Sequence, residues 1–325
     1  ILSGLVGSEM CIRDRYHCFG MVMGNLGCIT HGTTMIYPND AFDPLLTLTA
    51  VAEERATGLY GVPTMFIAVL DQPRRSEFDL SSLRTGIMAG ATCPIEVMRR
   101  VISEMHMSEV QIAYGMTETS PVSLQTGPDD DLELRVTTVG RTQPHLESKI
   151  IDEAGNVVPR GTIGELCTRG YSVMLGYWNN PEGTRESIDQ AGWMHTGDLA
   201  TMNQQGYVCI AGRNKDMIIR GGENIYPREL EEFFFTHPAV ADVQVIGIPC
   251  DRYGEEIVAW IKFHPGHSAN ELELQTWCKE RIAHFKTPRY FKFVEEFPMT
   301  VTGKIQKFRM REISIEELRE RMNKG

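Results

Sequence analysis

Three apolar segments between residues 58 and 119 each run into a glycine turn, and stretches with helical spacing separate them. GLYGVPTMFIAVL (58–70) reads as a short strand that turns at Gly61 to Pro63 into an apolar helix. RTGIMAGA (84–91) reads as a buried strand, CPIEVMRRVISEM (93–105) as a Pro-started helix, and VQIAYGMTET (110–119) as a strand entering a Gly turn. Upstream, DPLLTLTAVAEERAT (43–57) has an Asp N-cap, Pro at the first helical position and apolar residues at Leu45, Leu48, Val51 and Ala52, and Gly58 follows it. Strand and helix in alternation predict an α/β domain around a parallel sheet.

Past residue 125 the texture changes. ESKIID, GELCTRG and GWMHTGDLATMNQQGYVCIAGR are short strands between turn signals, which predicts antiparallel β. Near GRNKD (212–216) it changes again. Helices over 228–237 and 270–284, with strands over 241–248, 257–263 and 290–294, predict a compact α+β domain. A chain of 325 residues exceeds what one core usually holds. The expected organisation is 16–124 as α/β, 125–213 as a β subdomain and 216–325 as a small α+β domain, joined by a short hinge. Residues 1–15, ILSGLVGSEMCIRDR, show no periodicity and no signal-peptide layout. They resemble translated adapter sequence and are read as non-native. The chain starts without Met and reads as a fragment.

Composition excludes several classes. The formal net charge of -11 argues against a nucleic-acid binder, without excluding a local basic pocket. The 8 cysteines form no C-x-x-C pair, which argues against a zinc site and for reduced thiols in an intracellular, cytoplasmic setting. The nine histidines show no metal-ligand spacing. No apolar run reaches the roughly 18–20 residues needed to span a bilayer. G-x-S-x-G and G-x-G-x-x-G are both absent. Thr302-Gly303-Lys304 is not half of a P-loop, because Pro298 and Ile305 stand where that motif needs Gly and Ser or Thr.

Five Gly-punctuated stretches remain. In YGMTETSP (114–121), Tyr114 can stack on a base, Gly115 admits close backbone approach, Thr117 offers a hydroxyl to phosphate and Glu118 a hard oxygen to Mg²⁺. For this stretch taken alone, a turn capped by Thr117 or Thr119 is the favoured explanation. In WMHTGDLA (193–200), Asp198 can accept two hydroxyls of a ribose, or simply complete a Gly-Asp turn. In GRNKDMIIRGGENIYPRELE (212–231), Arg213 and Lys215 precede a strand and Gly221-Gly222 form a flexible loop, or the charges are merely solvated. GELCTRGYSVMLGYW (164–178) reads as barrel strands with no direct chemistry. TVTGKIQK (300–307) could be a surface hairpin with exposed Lys304 and Lys307.

Taken in order, YHCFG, AGATCP, YGMTETSP, GELCTRGY, HTGD, GRNKDMIIRGGENIYP and PMTVTGKIQK resemble the adenylate-forming (AMP-binding) superfamily of acyl- and aryl-CoA synthetases, adenylation domains and luciferases. The wording YGVPTMFIAVLDQP, RGYSVMLGYW and KDMIIRGGENIYP is most similar to the medium-chain fatty acyl-CoA synthetases of the acyl-CoA synthetase family member 2 branch. The resemblance runs from Tyr16 to about Met310. It implies the remnant of a large N-terminal domain, with a parallel sheet, helices and a β subdomain, followed by a small α+β C-terminal domain. It implies a ligase that activates a fatty acid with ATP and Mg²⁺ to acyl-AMP and passes the acyl group to CoA.

Residue by residue, the resemblance implies Gly90 and Ala91 beside the adenine, Tyr114 stacked on it, and Gly115 and Met116 in the same nucleotide turn. It puts Thr117 on the α-phosphate, Glu118 on Mg²⁺, and Asp198 and Arg213 on the ribose. Lys215 becomes the hinge, and Gly221 and Gly222 meet the pantetheine arm of CoA. His17, Val62 and Gly86 shape the acyl pocket, and Lys304 contacts the reacting carboxylate and phosphate. An aryl-acid or carrier-loading enzyme is the alternative inside the family, and a fragment that only binds AMP or CoA is the alternative outside it. The family's Ser/Thr/Gly-rich phosphate loop lies upstream of YHCFG and is not in this chain, so the expectation is little adenylation by the chain alone.

Overall fold

A computed structural model describes residues 8–11, 17–91, 93–279, 281–300 and 305–322. The chain divides into two compact units, with the division between Ile210 and Ala211. The first holds β1 (Ser8–Cys11), α1 (Gly27–His31), β2 (Thr34–Ile36), α2 (Pro44–Glu54), β3 (Gly58–Gly61), α3 (Pro63–Leu70), β4 (Thr85–Ala89), α4 (Ile95–Glu104), β5 (Glu109–Gly115), β6 (Val122–Gln125), α5 (Leu132–Thr137) and β7 (Arg141–Thr142). These strands form one sheet in the order β2-β1-β3-β4-β5-β6-β7. The first five pair in parallel, and β6 and β7 continue antiparallel. The predicted α/β class is correct, and residues 8–11 of the N-terminal stretch pair between β2 and β3.

The local causes are legible. Asp43 caps α2 by accepting from Leu46 N at 2.8 Å, and Pro44 occupies its first turn. The helix stops at Arg55, which takes a left-handed conformation, rather than continuing to residue 57. Pro94 stands just outside α4 with extended backbone, so that helix begins at Ile95 instead of Pro94. One face of the parallel strands buries Leu59, Met88, Val110 and Ile112 against Phe66 of α3 and Met98 and Val101 of α4. The other face packs Tyr60, Ile87, Ala89 and Ala113 under Phe19. Burying both faces is what a parallel sheet requires.

A second sheet holds β8 (Leu146–Ile151), β9 (Gly164–Gly170), β10 (Met194–Met202) and β11 (Val208–Arg213), the last running across the division, in the order β11-β10-β9-β8, with α6 (Pro181–Ser187) between β9 and β10. This is the antiparallel β region that the sequence predicts after residue 125. GELCTRGYSVMLGYW is a strand only to Gly170; residues 171–178 leave the sheet, which corrects the barrel-strand reading.

The second unit contains β12 (Ile218–Arg220), β13 (Glu223–Ile225), α7 (Pro227–Phe235), β14 (Val240–Cys250), β15 (Gly254–Phe263), α8 (Glu271–Lys279), β16 (Tyr290–Phe293) and α9 (Lys307–Met322). Its sheet is buried on both faces. Val243, Val245, Ile257, Ala259 and Ile261 pack with Leu230 and Phe234 of α7 and Leu274 of α8. The alternate residues Ile246, Ile248, Val258 and Trp260 pack with Met310 of α9. Arg220 grips Glu256 with two bonds of 2.8 and 3.1 Å and donates to Phe285 O at 2.8 Å, so this buried pair is fully bonded.

Asp242 is also buried, on β14, where Val243 N donates to its Oδ1 at 2.7 Å. Burial pushes its carboxyl up to about 7, and the nearby Glu231 adds to the rise. The folded unit therefore keeps this proton to a higher pH than the unfolded chain does. Its stability is expected to fall as pH rises from about 4 to about 7, by at most about 1.4 kcal/mol per pH unit. Asp242→Asn retains an acceptor for Val243 and should flatten that slope. Urea unfolding midpoints across the window measure it; an unchanged slope would assign the pH dependence elsewhere.

Candidate active site

Parallel sheets offer ligands the carboxyl ends of their strands. Here β3 ends in Gly61-Val62, β4 in Gly90-Ala91 and β5 in Tyr114-Gly115-Met116. Gly90 has φ +88, and a side chain there would come 3.2 Å from Val62 Cγ1. Val62 is itself buried as the residue before α3. Gly90 and Ala91 are exposed. Gly115 abuts β6: a Cβ would lie 1.7 Å from the carbonyl oxygen of Pro121.

After Met116 the chain makes a single 3₁₀ turn, Thr117–Thr119. The buried Thr119 hydroxyl bonds Met116 N and Met116 O, both at 3.1 Å. Thr119 is thus the structural residue of YGMTETSP. On the same turn Thr117 is exposed and Glu118 half-buried. Cys18 Sγ approaches Thr117 Oγ1 at 3.6 Å, which brings the segment carrying His17 to the same turn. His17 Nδ1 accepts from Phe19 N at 3.2 Å.

Asp198 arrives from the other sheet. Between His195↔Cys167 and Leu199↔Glu165, three residues of β10 oppose Leu166 alone. Gly197, at φ +70, takes the turn that this bulge needs. Glu165 braces it: Oε1 accepts from Gly197 N at 3.0 Å and Oε2 lies 3.0 Å from His195 Nδ1. Thr196 Oγ1 donates to Leu166 O at 2.6 Å and accepts from Asp198 N at 3.2 Å. The result is a contact that joins two sequence motifs: the Tyr114 hydroxyl donates to Asp198 Oδ2 at 2.5 Å.

Glu165, Cys167 and His195 offer ligand atoms within 4.8 Å of one another, a cluster that linear spacing of histidines could not reveal. The Cys167 thiol is pushed up to about 12, chiefly by burial and further by Glu165 and Asp189. The Glu165 carboxylate accepts from Gly197 N and lies against His195, and in this way it braces the Asp198 bulge.

Glu118 fits a magnesium ion. It is a half-buried carboxylate beside a hydroxyl, the hard-oxygen set of a cation that takes one or two carboxylates and completes its shell with water and substrate phosphate. Gly86 is placed differently. It lies mid-strand in β4, where a Cβ would sit 2.1 Å from Leu59 O, so sheet packing alone demands glycine there.

In the second unit Gly221 (φ +61) and Gly222 (φ +86) form the tip of the β12–β13 hairpin, and a 3₁₀ turn over Asn214–Asp216 carries Lys215. Lys304 lies outside the described residues. Of the flanking residues, Met299 and Ile305 form a bridge and Gln306 N donates to Pro298 O at 2.9 Å. Lys307 is not the exposed lysine of a surface hairpin. Its ammonium donates to Glu231 Oε1 at 2.6 Å and to Val245 O at 3.1 Å.

The AMP-binding enzyme family model matches residues 8–178, and that of the AMP-binding enzyme C-terminal domain matches residues 229–304. Putative acyl-CoA synthetase YngI of Bacillus subtilis (strain 168) is 54% identical over 310 residues, which cover 95% of this chain and 56% of the relative. Medium-chain acyl-CoA ligase ACSF2, mitochondrial, of Homo sapiens is 49% identical over 298 residues, covering 91% of this chain and 48% of the relative. The chain thus spans about half the length of the curated relatives it matches. Among solved structures, the anthranilate CoA ligase AuaEII in complex with anthranoyl-AMP superposes with a TM-score of 0.86 at 30% identity, over 94% of this chain and 59% of the other. ATP-bound MatB from Rhodopseudomonas palustris gives 0.83 at 30% identity, over 95% and 60%.

Proposed function

This chain belongs to the AMP-binding enzyme family, and from that premise we propose that it carries the adenylate-handling part of an acyl-CoA synthetase acting on a fatty acid. The observation that supports this most directly is the Tyr114–Asp198 bond. It sets an aromatic ring and a ribose-type acceptor side by side at the carboxyl end of β5, next to Thr117 and Glu118. The relatives named acyl-CoA synthetase and medium-chain acyl-CoA ligase supply the acid class. Among the described residues no helix is long and apolar enough to cross a membrane; we place the protein inside the cell.

In the proposed reaction a carboxylate oxygen attacks the α-phosphorus of ATP, pyrophosphate leaves, and the thiol of CoA then displaces AMP from the acyl-AMP. Gly90, Ala91 and Tyr114 take the adenine, with Gly115 and Met116 forming the floor of the turn. Asp198 and Arg213 take the ribose hydroxyls, and Thr117 donates to the α-phosphate. Glu118 would hold Mg²⁺, which would supply positive charge to offset that building on the phosphate oxygens. His17 and Val62 line the acyl side, with Gly86 behind them. In the second unit, Gly221 and Gly222 meet CoA, Lys215 is the hinge, and Lys304 neutralises the reacting carboxylate and phosphate.

Titration of AMP into this chain tests the reading. Asp198→Ala removes a charged acceptor from two hydroxyls, so AMP affinity should drop about 10- to 100-fold. The variant must keep its folded signal, since Asp198 also takes the Tyr114 hydroxyl. An Asp198→Ala chain that binds AMP as tightly as the parent chain removes the nucleotide site from this position.

A further inference from the structure

The segment after β9 reads as scaffolding in the sequence, yet it reaches Glu118. Met174 N donates to the carbonyl of Glu118 at 2.8 Å, and the Tyr177 hydroxyl donates to Glu118 Oε1 at 2.9 Å. The segment is itself tightly built. Tyr177 N donates to Thr184 Oγ1 at 2.9 Å, and Thr184 Oγ1 donates to Asn180 O at 2.8 Å. Asn180 caps α6 through Gly183 N at 2.9 Å. Gly176, at φ +152, lets the chain pass Thr184, where a Cβ would meet the threonine side chain at 3.0 Å.

We propose that Tyr177 is a positioning residue for the metal-binding carboxylate: its hydroxyl fixes Glu118 through Oε1 and leaves Oε2 turned to a divalent cation. This rests on the reading of Glu118 as the Mg²⁺ ligand given above. The physical reason is general. Metal-ligating groups are held by outer hydrogen bonds, and loss of such a partner costs about 10- to 100-fold in metal affinity. A carboxylate on a single 3₁₀ turn keeps free side-chain torsions, and a tyrosine whose backbone is tied to Thr184 of the neighbouring helix removes that freedom without adding charge.

The test uses this chain with Mn²⁺ as the probe. Calorimetric titrations with Mn²⁺-ATP and with metal-free AMP are run on the parent chain and on Tyr177→Phe and Glu118→Gln variants, with the bound Mn²⁺ followed by its electron paramagnetic resonance signal. Tyr177→Phe should weaken Mn²⁺-ATP by at least tenfold and leave AMP affinity within about twofold. Equal weakening of both ligands would reduce Tyr177 to a structural residue and overturn the proposal. So would an unchanged Tyr177→Phe variant beside a weakened Glu118→Gln variant, and in that case the reading of Glu118 survives. If Glu118→Gln binds Mn²⁺-ATP normally, the reading of Glu118 as ligand fails, and the role of Tyr177 fails with it.

Discussion

Lys304→Ala is expected to slow acyl-AMP formation by about 100- to 1,000-fold, the range seen when a preorganised electrostatic group is removed from a reacting centre. Transfer from supplied acyl-AMP to CoA should stay within a few-fold of the unmodified protein. The asymmetry follows from charge. In the first step a carboxylate approaches a triphosphate, and two anions must be brought to bonding distance. An ammonium between them lowers that barrier by far more in a site shielded from water than it could in bulk solvent. In the second step a thiol meets a mixed anhydride whose leaving group is already good, so the same ammonium has little to do. The measurement compares the two half-reactions in a protein that carries this chain with the remaining length of its curated relatives. Lys307→Ala is the internal control. Because Lys307 is bound to Glu231 and Val245, its loss should lower the stability of the second unit and affect both half-reactions alike. Equal loss of both half-reactions in Lys304→Ala would falsify the assigned role.

Gly115→Ala is expected to destabilise the first unit by about 3 kcal/mol, at the upper end of overpacking effects. The new methyl would lie 1.7 Å from the carbonyl oxygen of Pro121, 2.7 Å from its carbon and 2.9 Å from Val122 Cα. All three are backbone atoms, so no side chain can swing aside. Gly115 pairs with Val122 across β5 and β6, and β6 in turn pairs with β7. Relief requires β6 to move, and β6 follows directly on the turn that holds Thr117 and Glu118. Unfolding by urea should show the loss, and AMP titration should show a weakened site in whatever remains folded. Gly155→Ala is the comparison. At φ +83 with nothing within 4 Å of its Cβ, it should cost only about 1 kcal/mol of backbone strain. Similar costs for the two substitutions would show that β6 yields easily and that Gly115 is not fixed by space.

Much of the candidate site is legible in the sequence. Gly90, Tyr114 and Glu118 each lie beside a turn signal at the end of an apolar run, because a chain that leaves a sheet under tight steric control needs glycine or a capping hydroxyl there, and Asp198 follows the Gly197 turn inside β10. What the sequence could not rank was function against turn chemistry. In YGMTETSP the two readings concern different neighbours: the buried Thr119 ties the turn, and the nucleotide roles proposed belong to Thr117 and Glu118. The misreadings share one cause. GELCTRGYSVMLGYW has the glycines and aromatics of strands throughout, yet only its first half finds a strand partner. TVTGKIQK shows two lysines of equal promise, and only the presence of Glu231 on α7, 76 residues away, commits Lys307 to structure.

By itself the sequence determined the α/β class, the change to antiparallel β and then to α+β, and the residue types presented at the strand ends. Those properties depend on periodicity and turn residues within a few positions of one another. Only the tertiary structure decided that Tyr114 bonds Asp198, that Glu165 holds the bulge presenting Asp198, and that Tyr177 reaches Glu118. These pairs lie 84, 32 and 59 residues apart. Hydrogen bonds act over about 3 Å, so a partner that distant along the chain leaves no periodic mark near either residue. It is found only when strand pairing and sheet packing have set the backbone in place.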